Sequence, residues 1–189
     1  GQSPWCLHLS YIQPYWPYTA PIPYHQLFRD LELPSAIRSQ NELKNPHPIY
    51  EAITKIRVSR AFSKKEVRDR VLPTYLGLVK QLDDQLGRLF QFMKDQGSFD
   101  QTLIVFTSDH GDYLGDHWLG EKDWFHEPSV KIPLIIRDPS SLANSSRGSR
   151  SKELVESIDL ISTFIKTLGE IIPEHILEGK SLKPSLNCE

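Results

Sequence analysis

The chain has 189 residues, which is enough for one full domain or most of one. Hydrophobic residues make up 39% of the sequence and charged residues 24%, so we expect a soluble globular domain. The 22 Lys and Arg residues nearly balance the 24 Asp and Glu residues, and the net charge of -2 argues against a nucleic-acid-binding surface. No apolar run approaches the roughly 18 residues of a membrane-spanning helix, so no membrane segment is expected.

The N-terminal residues show no targeting signal. Residues 1–16 lack a basic stretch followed by an apolar core, so no signal peptide is visible. The cellular location stays open on this basis, with the cytoplasm favoured. The chain opens with Gly1 and not with a methionine, so we expect the natural N-terminus to lie elsewhere. The two cysteines, Cys6 and Cys188, lie near opposite ends, and we expect both to be unpaired.

The first predicted element is a short strand that contains a histidine. Residues 5–12 place apolar side chains on both sides of His8, which predicts a buried strand. Residues 14–24 combine Pro with aromatic residues, and each Pro lacks an N–H group and restricts the residue before it. We therefore predict an ordered loop there, with a Pro-rich peptide-recognition segment as the alternative. Residues 25–50 are expected to be irregular.

A long amphipathic helix is predicted from Ser63 to about Gln96. Its apolar positions recur every three or four residues, as one face of a helix requires. They are Val67, Val71, Tyr75, Leu78, Leu82, Leu86, Leu89 and Met93. Ser63 and Glu66 fit a capping box at the start of this helix. Pro73 is expected to kink or divide it, and Gly97 fits its C-terminal cap.

Two apolar strands and a further helix are predicted in the second half of the chain. Residues 102–107 are apolar and rich in β-branched side chains, which is typical of a strand in a covered parallel sheet, and Ile132–Ile136 is similar. Residues 138–152 read as a polar surface loop, and residues 153–169 as an amphipathic segment. We find no internal repeat. The predicted fold class is α/β, with a mostly parallel central sheet and helices on both faces.

Polar residues follow directly after the first predicted strand. Ligands of open α/β sheets bind at the carboxyl ends of strands, so Asp109 and His110 are placed for function. Gly111 is expected to let the backbone turn, so that both side chains converge on one centre. A carboxylate and a neutral imidazole suit a divalent metal, which would need two further ligands. The alternative is a turn aspartate beside a hydrogen-bonded surface histidine.

A lysine follows these two residues in a glycine-containing segment. Lys122 lies thirteen residues after Asp109, in a loop that can fold back over the strand end. Its ammonium is a point charge suited to a tetrahedral oxyanion. The alternative is an ordinary solvated lysine.

Several segments of the chain together resemble a known family. They are, in chain order, YLGLVKQLDDQLGRL, TLIVFTSDHG, GDYLGDH, Lys122, EPSVKIPLIIRDP, LVESIDLISTFIKTLG and EGKSLKPSL. This series resembles the sulfatase family of the alkaline phosphatase superfamily, and most of all the branch with phosphonate monoester hydrolases and type I arylsulfatases. The resemblance covers most of residues 1–186 and is weak in residues 25–60. It implies an alkaline-phosphatase-like fold.

The resemblance also implies roles for single residues. Asp109 and His110 would be ligands of one divalent metal ion, which could be Mn, Zn, Ca or Mg; His110 favours Mn or Zn over Ca, since imidazole is the softer ligand. Lys122 would hold a substrate oxygen. His8 would contact the leaving-group oxygen as hydrogen-bond donor or general acid. Without the resemblance, a structural histidine is the better interpretation of His8.

Other polar residues nearby are not assigned to the metal. His117 is expected either to shape the Lys122 loop or to contact the metal, and His126 to line the mouth of the pocket. Lys131 is expected at the solvent edge of the next strand. Asp112 and Asp116 are likewise not assigned to the metal.

The nucleophile of the family is a formylglycine made from the Cys of a Cys-x-Pro-Ser-Arg motif. Cys6 is followed by Leu-His-Leu and Cys188 is second to last, so neither fits. We therefore expect residues 1–189 to be part of a catalytic domain whose nucleophile segment lies upstream. The partner of this part would be the rest of its own domain, and we expect no turnover from these residues alone.

Three functions remain open. The first is part of a hydrolase of sulfate, phosphonate or phosphate esters, with a small anionic ester as substrate. The second is a two-metal phosphodiesterase or mutase of the same superfamily. The third is a non-catalytic module that keeps the fold. The sequence does not separate sulfate from phosphonate esters, and it leaves a homo-oligomer open.

Overall fold

The computed structural model describes residues 5–170, 173 and 175–187. The helices in this part are α1 (Pro48–Thr54), α2 (Arg57–Phe62), α3 (Lys65–Asp95), α4 (Glu127–Val130), α5 (Ile158–Thr167) and α6 (Lys183–Asn187). The strands are β1 (Ile104–Thr107) and β2 (Leu134–Arg137), and short 3-10 turns lie at Tyr24–Gln26, Gln40–Leu43, Phe99–Gln101, Asp116–Trp118 and Ser141–Ser145. The chain divides into two compact units. One contains the residues up to Met93 with His110–Lys131, and the other contains Lys94–Asp109 with the residues from Ile132 onward.

The predicted strand at residues 5–12 is wrong. These residues have no regular secondary structure, and their side chains are exposed, including Trp5 at 65% and Ile12 at 75%. A strand satisfies its backbone N–H and C=O groups only by pairing, and among the described residues the sheet contains β1 and β2 alone. Cys6 is exposed and free, whereas Cys188 lies outside the described residues.

The Pro-rich segment is an ordered loop, as predicted. Residues 14–24 form turns that lead into the 3-10 turn at Tyr24–Gln26. The Tyr24 hydroxyl donates a hydrogen bond of 2.9 Å to Asp84 Oδ2 on α3. The Tyr24 carbonyl oxygen lies only 2.3 Å from the point where a Cβ atom on Gly77 would stand. The loop therefore rests directly on α3, at a position where only glycine leaves room.

Helix α3 confirms the predicted amphipathic helix, although two details differ. It runs as one helix through the buried Pro73, so of the two predicted effects the division is wrong and the kink stays a prediction. The predicted capping box is also wrong, because Ser63 is the C-cap of α2 and α3 begins only at Lys65. Gly97 follows the helix and donates its N–H to the Lys94 carbonyl at 2.9 Å, as a C-terminal cap should. No helix in the described part of the chain is both long and apolar enough to cross a membrane.

Two apolar clusters form the core of the first unit. One contains Phe62, Leu72 and Leu114, with Tyr18, Leu33, Val58, Val67, Val71 and Tyr75 partly buried around it. The other contains Tyr50, Tyr113 and Leu119, with Ile53 and Trp124 against it. Full burial of a side chain such as Leu119 contributes about 1.5–3 kcal/mol. Both clusters join the helices α1–α3 to residues 113–119, so core packing fixes the segment that precedes Lys122.

The two strands pair antiparallel, which corrects the parallel arrangement predicted for them. Ile104 lies opposite Arg137 and Thr107 opposite Leu134. Parallel strands need a crossover, usually a helix, that carries the chain back to the start of the first strand. The connection from Thr107 to Leu134 contains only short turns and the four-residue helix α4, and it returns the chain to the end that it left. The strand positions themselves were predicted correctly to within two residues.

The second unit is held together by buried polar contacts. Helix α5 confirms the central part of the amphipathic segment predicted at residues 153–169. The Leu182 N–H donates to the hydroxyl of the buried Thr163 at 2.8 Å. The Lys183 ammonium lies 2.7 Å from Asp138 Oδ2, and the Asp138 side chain is only 4% exposed. These contacts attach α6 to α5 and to the residue that follows β2.

The contact between Tyr24 and Gly77 yields a stability prediction. We expect Gly77→Ala to lower the free energy of unfolding by about 1–3 kcal/mol, because the new methyl group would collide with backbone. Gly87 lies in the same helix with open space around its Cβ position, so Gly87→Ala is the matched control and should raise that free energy by up to about 1 kcal/mol. Urea unfolding of both variants checks this. A stabilising effect of Gly77→Ala would refute the proposed collision.

Candidate functional site

The segment that follows β1 is locked by hydrogen bonds to Ser129. The Gly111 N–H donates to the Ser129 carbonyl at 2.7 Å, and the Ser129 hydroxyl donates to the Lys122 carbonyl at 2.6 Å. Ser129 is only 4% exposed. The buried Ser129 in α4 thus fixes the backbone at both ends of the segment. One end is Gly111, next to His110, and the other is Lys122.

Gly111 allows this arrangement in a different way from the one expected. Its φ is not in the left-handed region, so the chain does not need glycine there for a turn. A Cβ atom at this position would instead stand 1.9 Å from the Pro128 carbonyl oxygen. The glycine is required because two stretches of backbone approach each other closely.

The His110 side chain has a defined tautomer. Its Nδ1 atom lies 2.7 Å from the Gly111 carbonyl oxygen. A carbonyl oxygen only accepts, so Nδ1 carries a hydrogen, and in the neutral form of the ring the lone pair would be on Nε2. A neutral imidazole held in this way by a backbone carbonyl is the form in which histidine binds metals. His110 is partly buried.

Lys122 and His110 both contact Tyr15 in the Pro-rich loop. The Lys122 ammonium donates a hydrogen bond of 2.8 Å to the Tyr15 hydroxyl and lies 4.2 Å from the centre of its ring. The Tyr15 and His110 rings meet edge to face, with their centres 5.4 Å apart. The structure thus brings together two of the residues that the sequence singled out. Tyr15 itself was missed, and its only sequence signal is an aromatic side chain in the Pro-rich loop.

Asp112 ties the same loop to this segment. Its Oδ2 accepts a hydrogen bond of 2.5 Å from the Tyr18 hydroxyl, and its Oδ1 accepts one of 3.0 Å from the Leu114 N–H. Burial raises the pKa of the Asp112 carboxyl, while these two hydrogen bonds act against that shift. Burial and the bond to Asp112 raise the pKa of the Tyr18 phenol. Asp112 therefore anchors the loop.

His117 and His126 stack on each other within the Lys122 segment. Their ring centres are 3.9 Å apart and their planes differ by 15°. His126 Nδ1 lies 3.2 Å from the Tyr113 hydroxyl, and His117 Nδ1 lies 3.5 Å from Glu42 Oε2. Burial and the neighbouring His117 lower the pKa of His126, and Glu42 acts against this. His117 has a φ of 50°, and its carbonyl accepts a hydrogen bond from Tyr50, which favours the loop-shaping alternative for this residue.

The other two predicted site residues are exposed. His8 belongs to the exposed residues 5–12. Asp109 belongs to the second unit, where the Ser108 hydroxyl donates to its Oδ1 at 3.4 Å. Their roles stay predictions.

The described residues form no complete metal site. Nowhere in residues 5–170, 173 and 175–187 do three or more His, Cys, Asp or Glu side chains gather in a way that could hold a metal ion. A carboxylate and an imidazole are each donor types that suit a divalent metal. The roles of Asp109 and His110 as ligands of one metal ion stay predictions.

Comparisons with known proteins agree on one family. The Sulfatase family profile matches residues 1–170. A multifunctional alkaline phosphatase superfamily protein from Trinickia caryophylli is 36% identical over 97% of this chain and 38% of its own length. An arylsulfatase from Clostridium perfringens is 28% identical over 96% of this chain and 37% of its own length.

A solved structure shows the same fold. A phosphonate monoester hydrolase from Silicibacter pomeroyi matches with a TM-score of 0.88 and 33% identity, over 100% of this chain and 38% of that one. The chain thus spans less than two fifths of the length of these relatives. The similarity extends along the whole chain, so the helices, the two strands and the Pro-rich loop belong to the fold of these hydrolases.

The stacked histidines predict a pH effect on stability. Because the fold lowers the pKa of His126, the unfolded chain binds the proton more readily. We expect the contribution of His126 to stability to be complete above its ordinary pKa of about 6.5 and to fall as the pH drops from there toward the lowered value. Urea unfolding at several pH values should show a weaker pH dependence in His126→Gln than in the wild type.

The control for this effect is the same substitution at the exposed His175. We expect His175→Gln to keep the loss of stability on acidification. Equal slopes of stability against pH in the wild type and His126→Gln would refute the role of the stacked pair.

Proposed function

The chain belongs to the sulfatase family, and from that premise we propose that it serves in a metal-dependent hydrolase of sulfate or phosphonate esters. The observation that carries the proposal is the joint contact of the Lys122 ammonium and the His110 imidazole with Tyr15. A cation and a metal-binding imidazole at one place suit an anionic ester group.

We propose the following roles for the residues of this chain. Lys122 pairs with a non-bridging oxygen of the substrate, where its charge stabilises the negative charge that develops during attack. Asp109 and His110 contribute a carboxylate and an imidazole to one divalent metal ion. When bound, that metal would polarise the ester group and orient it. His8 donates a proton to the oxygen of the departing alcohol, a task for which imidazole has a suitable pKa range.

We propose further that the nucleophile is a formylglycine from outside these 189 residues. Neither cysteine of the chain stands in the required motif. In the complete protein, β1 and β2 would join a larger, mostly parallel sheet with helices on both faces. The exposed apolar side chains of residues 5–12, and of Ile135 in β2 at 63%, support this, because such surface is normally covered.

Sulfate and phosphonate esters are both proposed as substrates. Each presents a tetrahedral centre with negatively charged oxygens, which Lys122 and a metal would hold in the same way. The names of the relatives support both classes, since one is an arylsulfatase and another a phosphonate monoester hydrolase.

The role of Lys122 is tested by its replacement with methionine in the full-length, metal-loaded protein. We expect Lys122→Met to lower kcat/KM for an aryl sulfate and for an aryl phenylphosphonate by about 100-fold or more, as loss of a group that stabilises an oxyanion does. Lys131→Met is the matched control. Lys131 pairs on the surface with Glu127, and its loss should change kcat/KM by less than about twofold. Unchanged activity of a folded Lys122→Met variant would contradict the proposal.

The metal is tested by elemental analysis of the purified full-length protein. We expect one divalent ion per chain, and at least about tenfold weaker metal affinity in Asp109→Asn and His110→Ala. Asp116→Asn is the control, because Asp116 Oδ1 accepts the Ile37 N–H and is not assigned to the metal. Two ions per chain would favour a two-metal phosphodiesterase or mutase. Absence of metal together with absence of hydrolysis would favour a non-catalytic module.

A further inference from the structure

We propose that Tyr15 is a positioning residue of this site, which fixes the Lys122 ammonium through its hydroxyl and its ring while the same ring contacts His110. The inference rests on the proposed function of Lys122 and adds a residue to it. It is carried by one hydrogen bond of 2.8 Å, by the 4.2 Å separation between ammonium and ring, and by the edge-to-face contact with His110.

A lysine needs such a partner because its side chain is flexible. The four-carbon stem has several rotatable bonds, so the ammonium can occupy many places around its Cα atom. Tyr15 restricts it in two ways, since its hydroxyl accepts one N–H and its ring attracts the charge. The phenol itself has few rotatable bonds, so little entropy is lost when it holds the lysine.

The Pro-rich loop in turn holds Tyr15 in place. The Tyr15 N–H donates to the Ile12 carbonyl at 3.0 Å, which closes a turn at the start of the loop. Three residues later, the Tyr18 hydroxyl bonds to Asp112, two residues after His110. The loop is therefore attached to both ends of the segment that carries His110 and Lys122.

Tyrosine suits this task better than a carboxylate would. A neutral phenol oxygen accepts a hydrogen bond from the ammonium without cancelling its positive charge. An aspartate or glutamate in its place would form an ion pair with Lys122 and would repel an anionic ester. The contact with Tyr15 thus fixes the position of the Lys122 ammonium without itself cancelling the positive charge.

The test is a double-mutant cycle between Tyr15 and Lys122 in the full-length, metal-loaded protein. Tyr15→Phe keeps the ring and removes the hydroxyl, and we expect it to lower kcat/KM for both aryl esters about tenfold, as loss of one hydrogen bond to a charged group does. In the Lys122→Met background the same change should have almost no further effect, because Tyr15 acts through Lys122. Calorimetric binding of inorganic phosphate supplies a second readout, and Tyr15→Phe should weaken its Kd by about tenfold.

Tyr24→Phe is the matched control. It removes the hydroxyl of another tyrosine of the same loop, whose partner is Asp84 on α3. It should lower stability in urea and leave kcat/KM and the phosphate Kd unchanged.

The outcomes separate the inference from the function on which it rests. If Lys122→Met leaves activity unchanged, the proposed function of the lysine fails. If Lys122→Met is impaired while Tyr15→Phe is not, or if the two effects add, Tyr15 has no positioning role and only this inference fails. If Tyr24→Phe and Tyr15→Phe lower kcat/KM equally, the effect of Tyr15 is structural and the inference is overturned.

Discussion

The close backbone approach at Gly111 is the constraint on which the rest of the site depends. The Gly111 N–H reaches the Ser129 carbonyl only because no side chain separates the two stretches of backbone. Once they are joined, the Ser129 hydroxyl holds the Lys122 carbonyl, and the Tyr113 N–H bonds to the Glu121 carbonyl at 2.8 Å. The position of Lys122 relative to His110 therefore follows from backbone hydrogen bonds and a glycine, before any side chain of the site is considered.

The Pro-rich loop contributes the side-chain contacts that hold this segment. Proline removes backbone donors, so the loop cannot attach itself through a ladder of backbone hydrogen bonds. Its attachments are instead three phenol groups, which reach Lys122 from Tyr15, Asp112 from Tyr18 and Asp84 from Tyr24. Each phenol combines an apolar ring, which packs against the unit, with a hydroxyl at the end of a stiff side chain. The aromatic residues between the prolines thus replace secondary structure as the means of attachment.

The sequence predicted those parts of the fold that depend on local patterns. The periodicity of the apolar residues located α3 and the centre of α5, and the β-branched runs located β1 and β2. The direction of pairing was predicted wrongly, because a doubly apolar strand indicates burial but not the orientation of its neighbour. The capping box failed for a related reason. Glu66 follows Ser63 at the correct spacing, yet Ser63 caps the C-terminal end of α2 and α3 begins only at Lys65.

The site was predictable as far as its motifs extend. Spacing and resemblance selected His110 and Lys122 within one short segment, and both contact Tyr15 in the structure, whereas the role of Asp109 stays a prediction. Tyr15 and Ser129 were not predictable, because their importance comes from contacts that cross the chain. Tyr15 and Lys122 are separated by 107 positions in sequence, and nothing in the residues around Tyr15 indicates its partner. The sequence pointed to Gly111 for the wrong reason. Its neighbours suggested a backbone turn, whereas the glycine is needed because the Pro128 backbone comes close to it.

The proposed binding of an anionic ester would depend on local charges of this chain. The 189 residues together carry a net charge of -2, so their summed charge does not favour an anion. Asp112, the carboxyl group near His110, accepts hydrogen bonds from Tyr18 and Leu114, which share its negative charge and keep it directed into the protein. Lys122, by contrast, bonds to a neutral phenol that leaves its charge intact. Two tyrosines of one loop thus have opposite electrostatic effects, because Tyr18 screens a negative charge while Tyr15 holds a positive one in place.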